Sequence, residues 1–341
     1  MRLGLFILPI LVAGCAAVEP VAAPSTSLSP TPPRDITVAI AGDVHFADRT
    51  LSLLERPETA FGKIAPVLAR ADLAIVNLET AVTERGTPEP KEFLFRAPAS
   101  AFAAVKAAGV DAVSIANNHA LDYGRVGLAD TLDAARAAGI PALGGGEAAD
   151  AYRPWIYTVE NTKIAVVALT HVNELWESWK ATDSRPGLAM LRDEQRALAA
   201  VRSARSQADV VIVAVHWGPE YQECPNGELK RLASALIEAG ADVIAGGHQH
   251  LLLGAGWQGQ SYVAYGLGNF LWWRNDAMSN DTGVLWVTIR AGKVKTAGLV
   301  PAYIDRVTGQ PYPVGGQNAA RILNDQNRLR TCAGLTEFPA P

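Results

Sequence analysis

Cysteine and positive charge are both scarce in this chain of 341 residues. It has three cysteines and a formal net charge of −4, and no basic run stands out. Nucleic acid is therefore not an expected partner, because binding to it depends on clustered lysine and arginine. Cys224 and Cys332 form a disulfide if the compartment is oxidising, or else remain two unpaired thiols.

The chain also lacks a hydrophobic run at its start that is long enough to span a bilayer. The run from Leu3 to Gly14, in MRLGLFILPILVAGC, is too short and is typical of a secretory signal. Its end, LVAGC, resembles the lipobox of a bacterial lipoprotein, which predicts a signal peptide over residues 1–15 and a lipid on Cys15. The alternative is an ordinary signal peptide cleaved among the alanines that follow. A lipid on Cys15 predicts an exported protein anchored to a bacterial membrane, facing the periplasm or the exterior.

Composition divides the rest of the chain into three segments. Residues 16–34 are rich in Pro, Ala, Ser and Thr and cannot bury enough apolar surface to fold, which predicts a disordered tether. The folded domain is expected over residues 35–310, since the chain is 49% hydrophobic and can build a sizeable core. Residues 311–341 mix Pro, Gly, Asn and Arg and are assigned to a C-terminal extension.

Five short apolar segments each end in polar residues of the kinds that bind metals. They are ITVAIAGDVH, DLAIVNLE, DAVSIANNH, DVVIVAVHWG and DVIAGGHQH. Segments with helical spacing lie between them, which predicts βα units, a largely parallel sheet and the α/β class. Further strand-like segments predict a second sheet within one domain. In parallel sheets ligands bind at the carboxyl ends of the strands, where all five polar clusters fall.

The five clusters together indicate a metal site. The chain has six histidines, and all except His171, which we interpret as structural, lie in these clusters. In GHQH, an extended backbone would point both imidazoles to the same side. The set offers nitrogen and oxygen ligands without thiolate, which favours Mn, Fe, Zn or Co over a structural cysteine zinc site. It exceeds what one tetrahedral ion needs and so predicts two divalent metal ions.

The order of these clusters is similar to that of the calcineurin-like metallophosphoesterase superfamily. Six segments resemble more narrowly the CapA family, its capsule-synthesis and poly-γ-glutamate-synthesis branch. They are NLET, FRAP, SIANNHALDYG, VIVAVHWGPEY, GADVIAGGHQH and GLGNF, and together with the preceding GDVH they run in order from Gly42 to Phe270. The resemblance implies a four-layer α/β/β/α sandwich of the metallophosphoesterase type with a dinuclear metal site.

The resemblance also implies metal ligands at matching positions. One metal would be held by Asp43, His45 and His250, and the other by Asn118, His216 and His248. Glu79 would lie between the two metals, where the superfamily uses a bridging Asp, and Asp43 is a second candidate bridge. Asn77 is the alternative to Glu79 and is expected instead to hydrogen-bond to the ligands.

Further roles are predicted around the metals. His119 would stand beside them without binding either and donate a proton to the leaving oxygen, and Asp122 would orient it or else cap the next helix. Predicted substrate contacts, each with a packing or surface role as its alternative, are Arg96, Tyr221 and Asn269.

The resemblance predicts an exported hydrolase that acts on a phosphoester, or an amide, of a cell-envelope or capsule component. Its expected partners are the membrane, through the lipid anchor, and envelope polymer or the capsule-synthesis machinery. The alternative is a non-catalytic subunit that assembles or anchors this machinery. A soluble nucleotide phosphodiesterase is disfavoured by the export signal.

Overall fold

The computed structural model describes residues 8–10, 14, 34–172 and 174–340, and the chain divides into the units Met1–Pro33 and Arg34–Pro341. The predicted signal peptide, lipidation at Cys15 and the tether up to residue 33 lie essentially outside the described residues. Among the described residues, no helix is both long and apolar enough to cross a membrane. The named helices and strands belong to the unit Arg34–Pro341.

The strands are numbered in chain order. They are β1 (Ile36–Val44), β2 (Leu73–Leu78), β3 (Ala81–Val82), β4 (Arg96–Ala97), β5 (Ala112–Ser114), β6 (Ala142–Leu143), β7 (Gly145–Gly146), β8 (Trp155–Val159), β9 (Thr162–Thr170), β10 (Gly187–Leu188), β11 (Val210–His216), β12 (Val243–Gly247), β13 (Ala255–Gln258), β14 (Ser261–Ala264), β15 (Asn269–Leu271), β16 (Asp281–Arg290), β17 (Lys293–Ile304) and β18 (Pro311–Pro313).

The α-helices are α1 (Ala65–Leu68), α2 (Ser100–Ala107), α3 (Gly124–Ala138), α4 (Ala148–Ala151), α5 (Trp176–Trp179), α6 (Glu194–Arg205), α7 (Gly227–Glu238) and α8 (Gly316–Ala333). Short 3-10 helices cover Asp48–Glu55, Pro57–Thr59 and Gly62–Ile64. Several helices have clear end signals. The Asn226 side chain caps α7 by accepting from Leu229 N–H, and α3 ends at Gly139 in the left-handed conformation.

Two sheets form the centre of the domain. The first has the order β18-β17-β16-β1-β2-β5-β6, with β15 also beside β1, and the second has the order β13-β14-β12-β11-β9-β8. In the first sheet β1, β2, β5 and β6 run parallel, and β16 to β18 add an antiparallel side. In the second sheet β9, β11, β12 and β14 run parallel between antiparallel edge strands.

Alternating side chains of the strands build three separate cores. Val38 and Ile40 of β1 face one way and pack with residues of the second sheet such as Val166. Ala39 and Ala41 face the other way, into a core shared with helices α1 to α3. A third core joins the outer face of the second sheet to α6 and α7. This succession of layers confirms the predicted α/β/β/α sandwich with two sheets in one domain.

The C-terminal segment contacts both sheets. Residues 311–313 form β18 beside β17, and Thr336 exchanges backbone hydrogen bonds with Trp257 of β13. Cys224 and Cys332 form a disulfide across a sequence separation of 108 residues. In the chain-entropy account, closing a loop of this length stabilises the fold by roughly 5 kcal/mol.

The carboxyl ends of strands from both sheets meet along one edge of the sandwich. Asp43 lies at the end of β1, and Glu79 follows β2. His216 ends β11, and His248 follows β12. Both sheets therefore supply polar groups to a single site.

Candidate functional site

Glu79 lies at the centre of the polar cluster. Ligand atoms of Glu79, His216 and His248 lie within 4.8 Å of one another, and so do those of Asp43, Glu79 and His250. Glu79 thus belongs to both groups, which is the arrangement expected of a carboxylate between two metals. Asn77, the alternative, instead donates its side-chain N–H to Asp43 Oδ1 over 2.8 Å and lies 3.2 Å from His216 Nδ1.

The two carboxylates of this cluster are fully buried, and they differ in their hydrogen bonds. Asp43 accepts from Asn77 and from the backbone N–H of His248, yet burial still raises its pKa to about 6. Burial and the like charge of Asp43 raise the pKa of Glu79 well above its ordinary value. Neither Glu79 oxygen accepts a hydrogen bond from a described residue. A buried carboxylate without a donor is costly unless a cation binds it, so Glu79 fits a metal site.

The neighbouring histidines are in the form that binds metals. Burial lowers the pKa of His216 and His248 well below the ordinary value and that of His250 to about 4. Neutral imidazole is the form that donates its lone pair to a metal. His248 Nδ1 is buried without a hydrogen-bond partner among the described residues.

Two asparagines of the SIANNH segment have different places in the site. Asn118 Oδ1 lies 2.8 Å from His216 Nε2, so the two side chains point at the same place, as the predicted second ligand group requires. Asn117 is fully buried and supports the turn: it donates to Asn77 Oδ1 and Leu78 O, and it accepts from the backbone N–H of His119.

The GHQH segment reaches the site by a turn, and the prediction of an extended strand end is wrong here. Strand β12 ends at Gly247, and both His248 (φ 89°) and His250 (φ 59°) adopt left-handed backbone conformations. Such conformations cost about 1–3 kcal/mol each in non-glycine residues and are concentrated at functional sites. The turn brings the two rings to 6.0 Å between centroids and allows the His248 N–H to reach Asp43.

Glycine is required where backbones crowd the cluster. A Cβ on Gly247 would lie 2.6 Å from Asp43 Oδ1, and a Cβ on Gly42 would lie 1.9 Å from the carbonyl oxygen of Gly268. Any side chain at Gly247 would therefore displace a predicted metal ligand.

His45 lies beside the two groups of ligand atoms. Of the groups found among the described residues, neither includes His45. Its ring packs against Phe95 and Trp272 with centroid distances of 4.3 and 4.2 Å. Its Nε2 accepts from Trp273 N–H, and its buried Nδ1 has no hydrogen-bond partner among the described residues. Metal binding by His45 stays a prediction, and Nδ1 would be its ligand atom.

His119 and Asp122 form a hydrogen-bonded pair at the edge of the cluster. His119 Nδ1 lies 2.6 Å from Asp122 Oδ2, which also accepts from Phe95 N–H. Lys91 Nζ donates to Asp122 Oδ1 over 2.6 Å. Burial raises the pKa of Asp122 to about 6 against the effect of Lys91, so the carboxylate is ionised at neutral pH and accepts from His119 Nδ1–H. His119 Nε2 makes no hydrogen bond with a described residue and lies 3.8 Å from Glu79 Oε1.

A cavity of about 660 Å³ opens beside this cluster and contains residues that sequence reasoning missed. Besides Asn118, His119 and His248 it is lined by Lys91, His171 and Arg192. His171, which the sequence placed at a strand end and which we interpreted as structural, follows β9 at the same edge and lines this cavity. Lys91 and Arg192 belong to none of the polar clusters, and their roles become visible only in three dimensions.

The three residues predicted to contact substrate lie in three different environments. Arg96 is exposed and stacks its guanidinium 3.4 Å above the Tyr123 ring, outside the described cavities that contain His119. Asn269 is fully buried, and its Oδ1 lies 2.8 Å from His250 Nδ1, the nitrogen that lies 3.7 Å from Asp43, so a substrate contact by Asn269 stays a prediction. Tyr221 lines a smaller cavity with His250, which keeps it available for substrate.

Comparison with known proteins identifies the family of this chain. The family model for bacterial capsule synthesis protein PGA_cap matches residues 37–272. The chain is 28% identical over 289 residues to the capsule biosynthesis protein CapA of Bacillus anthracis, covering 82% of this chain and 69% of that protein. It is 26% identical over 296 residues to the PGA biosynthesis protein CapA of Bacillus subtilis, covering 85% of this chain and 77% of that protein.

Among solved structures, a novel phosphatase of Mycoplasma pneumoniae is similar with a TM-score of 0.50 and 13% identity, covering 79% of this chain and 94% of that one. At this identity the likeness concerns the fold alone, which is of the metallophosphoesterase type. The family match extends from β1 to just beyond β15 and so includes every predicted metal ligand. This chain therefore belongs to the PGA_cap family of bacterial capsule synthesis proteins.

Proposed function

We propose that this protein is an exported, lipid-anchored hydrolase that uses two divalent metal ions to cleave a phosphoester, or an amide, of a cell-envelope or capsule component. The observation that carries the proposal is Glu79, a fully buried carboxylate that accepts no hydrogen bond from a described residue and is shared by two groups of ligand atoms. A subunit with a purely structural role would gain nothing from this costly arrangement.

The residues that would hold the metals follow from the two groups. Asp43, Glu79 and His250 would hold one ion, with His45 as a further ligand, and Glu79, Asn118, His216 and His248 would hold the other. This set of imidazole, carboxylate and amide oxygen suits Mn, Fe, Zn or Co. When bound, such a pair of ions supplies Lewis-acid activation of water and of a phosphoryl or carbonyl oxygen.

The remaining chemistry belongs to His119 and its partners. Asp122 fixes the orientation of the His119 ring through Nδ1, so that Nε2 is the atom that exchanges a proton with the leaving group. Lys91, whose side chain is 1% exposed, contributes a positive charge that keeps Asp122 ionised. Protonation of the leaving atom at the moment of bond cleavage is worth roughly 10²- to 10⁴-fold in rate.

Two features support an exported location. The disulfide between Cys224 and Cys332 is of the kind that persists in oxidising compartments outside the cytosol. The sequence before residue 34 has the features of a lipoprotein signal and tether, and the compact unit begins at Arg34. With a lipid on Cys15, the protein would work at the membrane surface next to envelope polymer or the capsule-synthesis machinery.

The second candidate is a non-catalytic subunit for capsule or poly-γ-glutamate assembly, which the names of the two CapA relatives favour because both refer to biosynthesis. The two functions differ in their need for His216. In a strain that lacks the gene, His216→Ala is expected to leave envelope polymer at the level of the deletion strain. Polymer amount and protein level would be measured together.

The control for this experiment is Arg136→Ala, because Arg136 is exposed on α3 and lies outside the site. It is expected to restore polymer as wild type does. Full rescue by His216→Ala, at equal protein level, would contradict the hydrolase and favour the assembly subunit.

A further inference from the structure

The segment between β11 and α7 forms part of the wall of the cleft beside the predicted metal ligands. We call residues 219–224 the cleft loop. Its Glu220 lines both the large cavity that contains His248 and the smaller cavity that contains His250. Glu220 Oε1 lies 3.8 Å from His250 Nε2, and the centroids of the Tyr221 and His250 rings are 5.6 Å apart. The position of the cleft loop therefore shapes the cleft next to a predicted metal ligand.

The cleft loop has little packing of its own to hold it in place. It belongs to no helix or strand, and its residues from Glu220 to Cys224 are exposed. The Tyr221 backbone has a left-handed conformation (φ 57°), which is costly for a residue with a bulky side chain and persists only where neighbouring structure imposes it. One restraint is a hydrogen bond of 3.0 Å from Tyr221 N–H to Gln249 O. The loop therefore depends on restraints from other parts of the chain.

The C-terminal helix α8 supplies a covalent restraint. Cys224, the last residue of the cleft loop, is joined by the disulfide to Cys332 of α8. The preceding residue, Glu223, has its Oε2 3.6 Å from Arg328 Nη2 of the same helix. Both of these charged side chains are exposed, so their ion pair contributes little. The disulfide is thus the strong link between the loop and the helix.

Helix α8 is itself fixed to both sheets, so it can serve as an anchor for the loop. Near its start, Arg321 donates to both carboxylate oxygens of Asp281 in β16, each over 2.6 Å. Near its end, Arg330 Nε donates to Ala255 O of β13 over 2.8 Å. Leu329, one turn before Cys332, is buried against the body of the domain. The helix end that carries the disulfide is therefore held in place independently of the loop.

Helix α8 follows residues 37–272, the part of the chain that the family model matches, whereas the cleft loop lies inside that part. On these observations we infer that α8 is a positioning element of the cleft. Through the disulfide it holds the cleft loop, with Glu220 and Tyr221, beside the predicted metal ligands. Neither cysteine lines the two cavities, so both act through the loop. In catalysis, which rests on the proposed hydrolysis, the loop aligns the substrate and takes no part in bond cleavage.

Hydrogen exchange tests the position of the loop without a substrate. The full metal-free chain is compared before and after reduction by dithiothreitol, which breaks the S–S bond, leaves two thiols and is itself oxidised to a cyclic disulfide. Reduction is expected to speed exchange of the Tyr221 amide about 10-fold, since its hydrogen bond to Gln249 O then opens more often. At short exchange times the amides of β11 and β12 should stay protected in both forms, because they open only with the whole domain. Reoxidation should restore the original rate.

The double variant Cys224→Ser, Cys332→Ser measures the effect on turnover of the metal-loaded protein. On a p-nitrophenyl ester it is expected to raise KM about 10-fold and to keep the kcat and the metal content of wild type, because a misplaced loop weakens substrate binding and leaves the reacting groups in place. The reduction experiment uses the folded wild-type chain, so it does not depend on the folding of this variant.

Val284→Ala is the control for a general loss of stability, because Val284 is fully buried in β16 and lies outside the cleft. It should melt at a lower temperature than wild type and keep the same KM and the same exchange of Tyr221. Unchanged exchange of Tyr221 after reduction, a rise shared by β11 and β12, or a loss of kcat with KM unchanged would overturn the inference. Faster exchange confined to the loop, in a protein that cleaves no ester, would support the positioning role and count against the hydrolase.

Discussion

Glu79→Gln is expected to lower the affinity for divalent metal at least roughly 100-fold and to abolish hydrolysis. Removing one partner from a buried charged group typically costs 3–5 kcal/mol, which corresponds to factors of this size. The loss should affect both metals, because Glu79 belongs to both groups of ligand atoms. Calorimetric titration with Mn²⁺ or Zn²⁺ measures it. The matched control is Glu92→Gln, an exposed carboxylate of the same cavity outside the ligand groups, which should bind metal as wild type does.

The same substitution should have the opposite effect on the stability of the metal-free protein. Burial and Asp43 raise the pKa of Glu79, so folding is penalised increasingly as pH rises above the ordinary value of 4.5, where the unfolded chain has lost the proton. Glutamine carries no charge to bury. Metal-free Glu79→Gln should therefore melt at a higher temperature than metal-free wild type, by a margin that grows as the pH rises above 4.5. A lower melting temperature for the variant, with and without metal, would mean that Glu79 has a structural role.

His119→Ala is expected to retain both metals and to lose roughly 10²- to 10⁴-fold in kcat on a substrate with a poor leaving group. The reason is geometric: His119 lies in neither group of ligand atoms, while its Nε2 faces the cluster and its Nδ1 is held by Asp122. Steady-state kinetics and metal analysis of the same preparation measure the two effects.

A change of leaving group makes this prediction specific to proton donation. The p-nitrophenolate group of a p-nitrophenyl ester departs as a stable anion and needs no proton donor. His119→Ala should therefore retain most of its activity on the p-nitrophenyl ester while losing activity on an alkyl ester. His216→Ala provides the contrast, because loss of a metal ligand should reduce activity on both esters. Loss of metal from His119→Ala, or an equal loss on both esters, would show that His119 is not the proton donor.

Much of the fold was predictable because the signals were local. Apolar segments with polar ends, separated by helical segments, indicated parallel strands whose ends share an edge. Asp43, Glu79 and His216 meet there. Glu79 could be preferred to Asn77 from its charge alone, and the structure shows the further reason that Asn77 already binds Asp43.

The features that could not be predicted depend on contacts between distant segments. The turn at His248 and His250 replaces an expected strand, and both residues adopt positive φ angles that no residue pattern in GHQH indicated. The pairing of Cys224 with Cys332 requires α8 to return to the second sheet. Lys91 and Arg192 belong to no motif, so only their contacts in the folded chain single them out. Lys91 pairs with the carboxylate of Asp122, whereas Arg192 Nε has no hydrogen-bond partner among the described residues.

In the proposed site one buried carboxylate, that of Glu79, joins two metal positions. The most direct measurement is the metal content of residues 34–341 after loading with Mn²⁺ or Zn²⁺ and removal of free ions, read by elemental analysis against protein concentration. About two ions per chain are expected, in keeping with a two-metal hydrolase. A chain that retains no ion, or that retains as much metal in Glu79→Gln as in wild type, would contradict it.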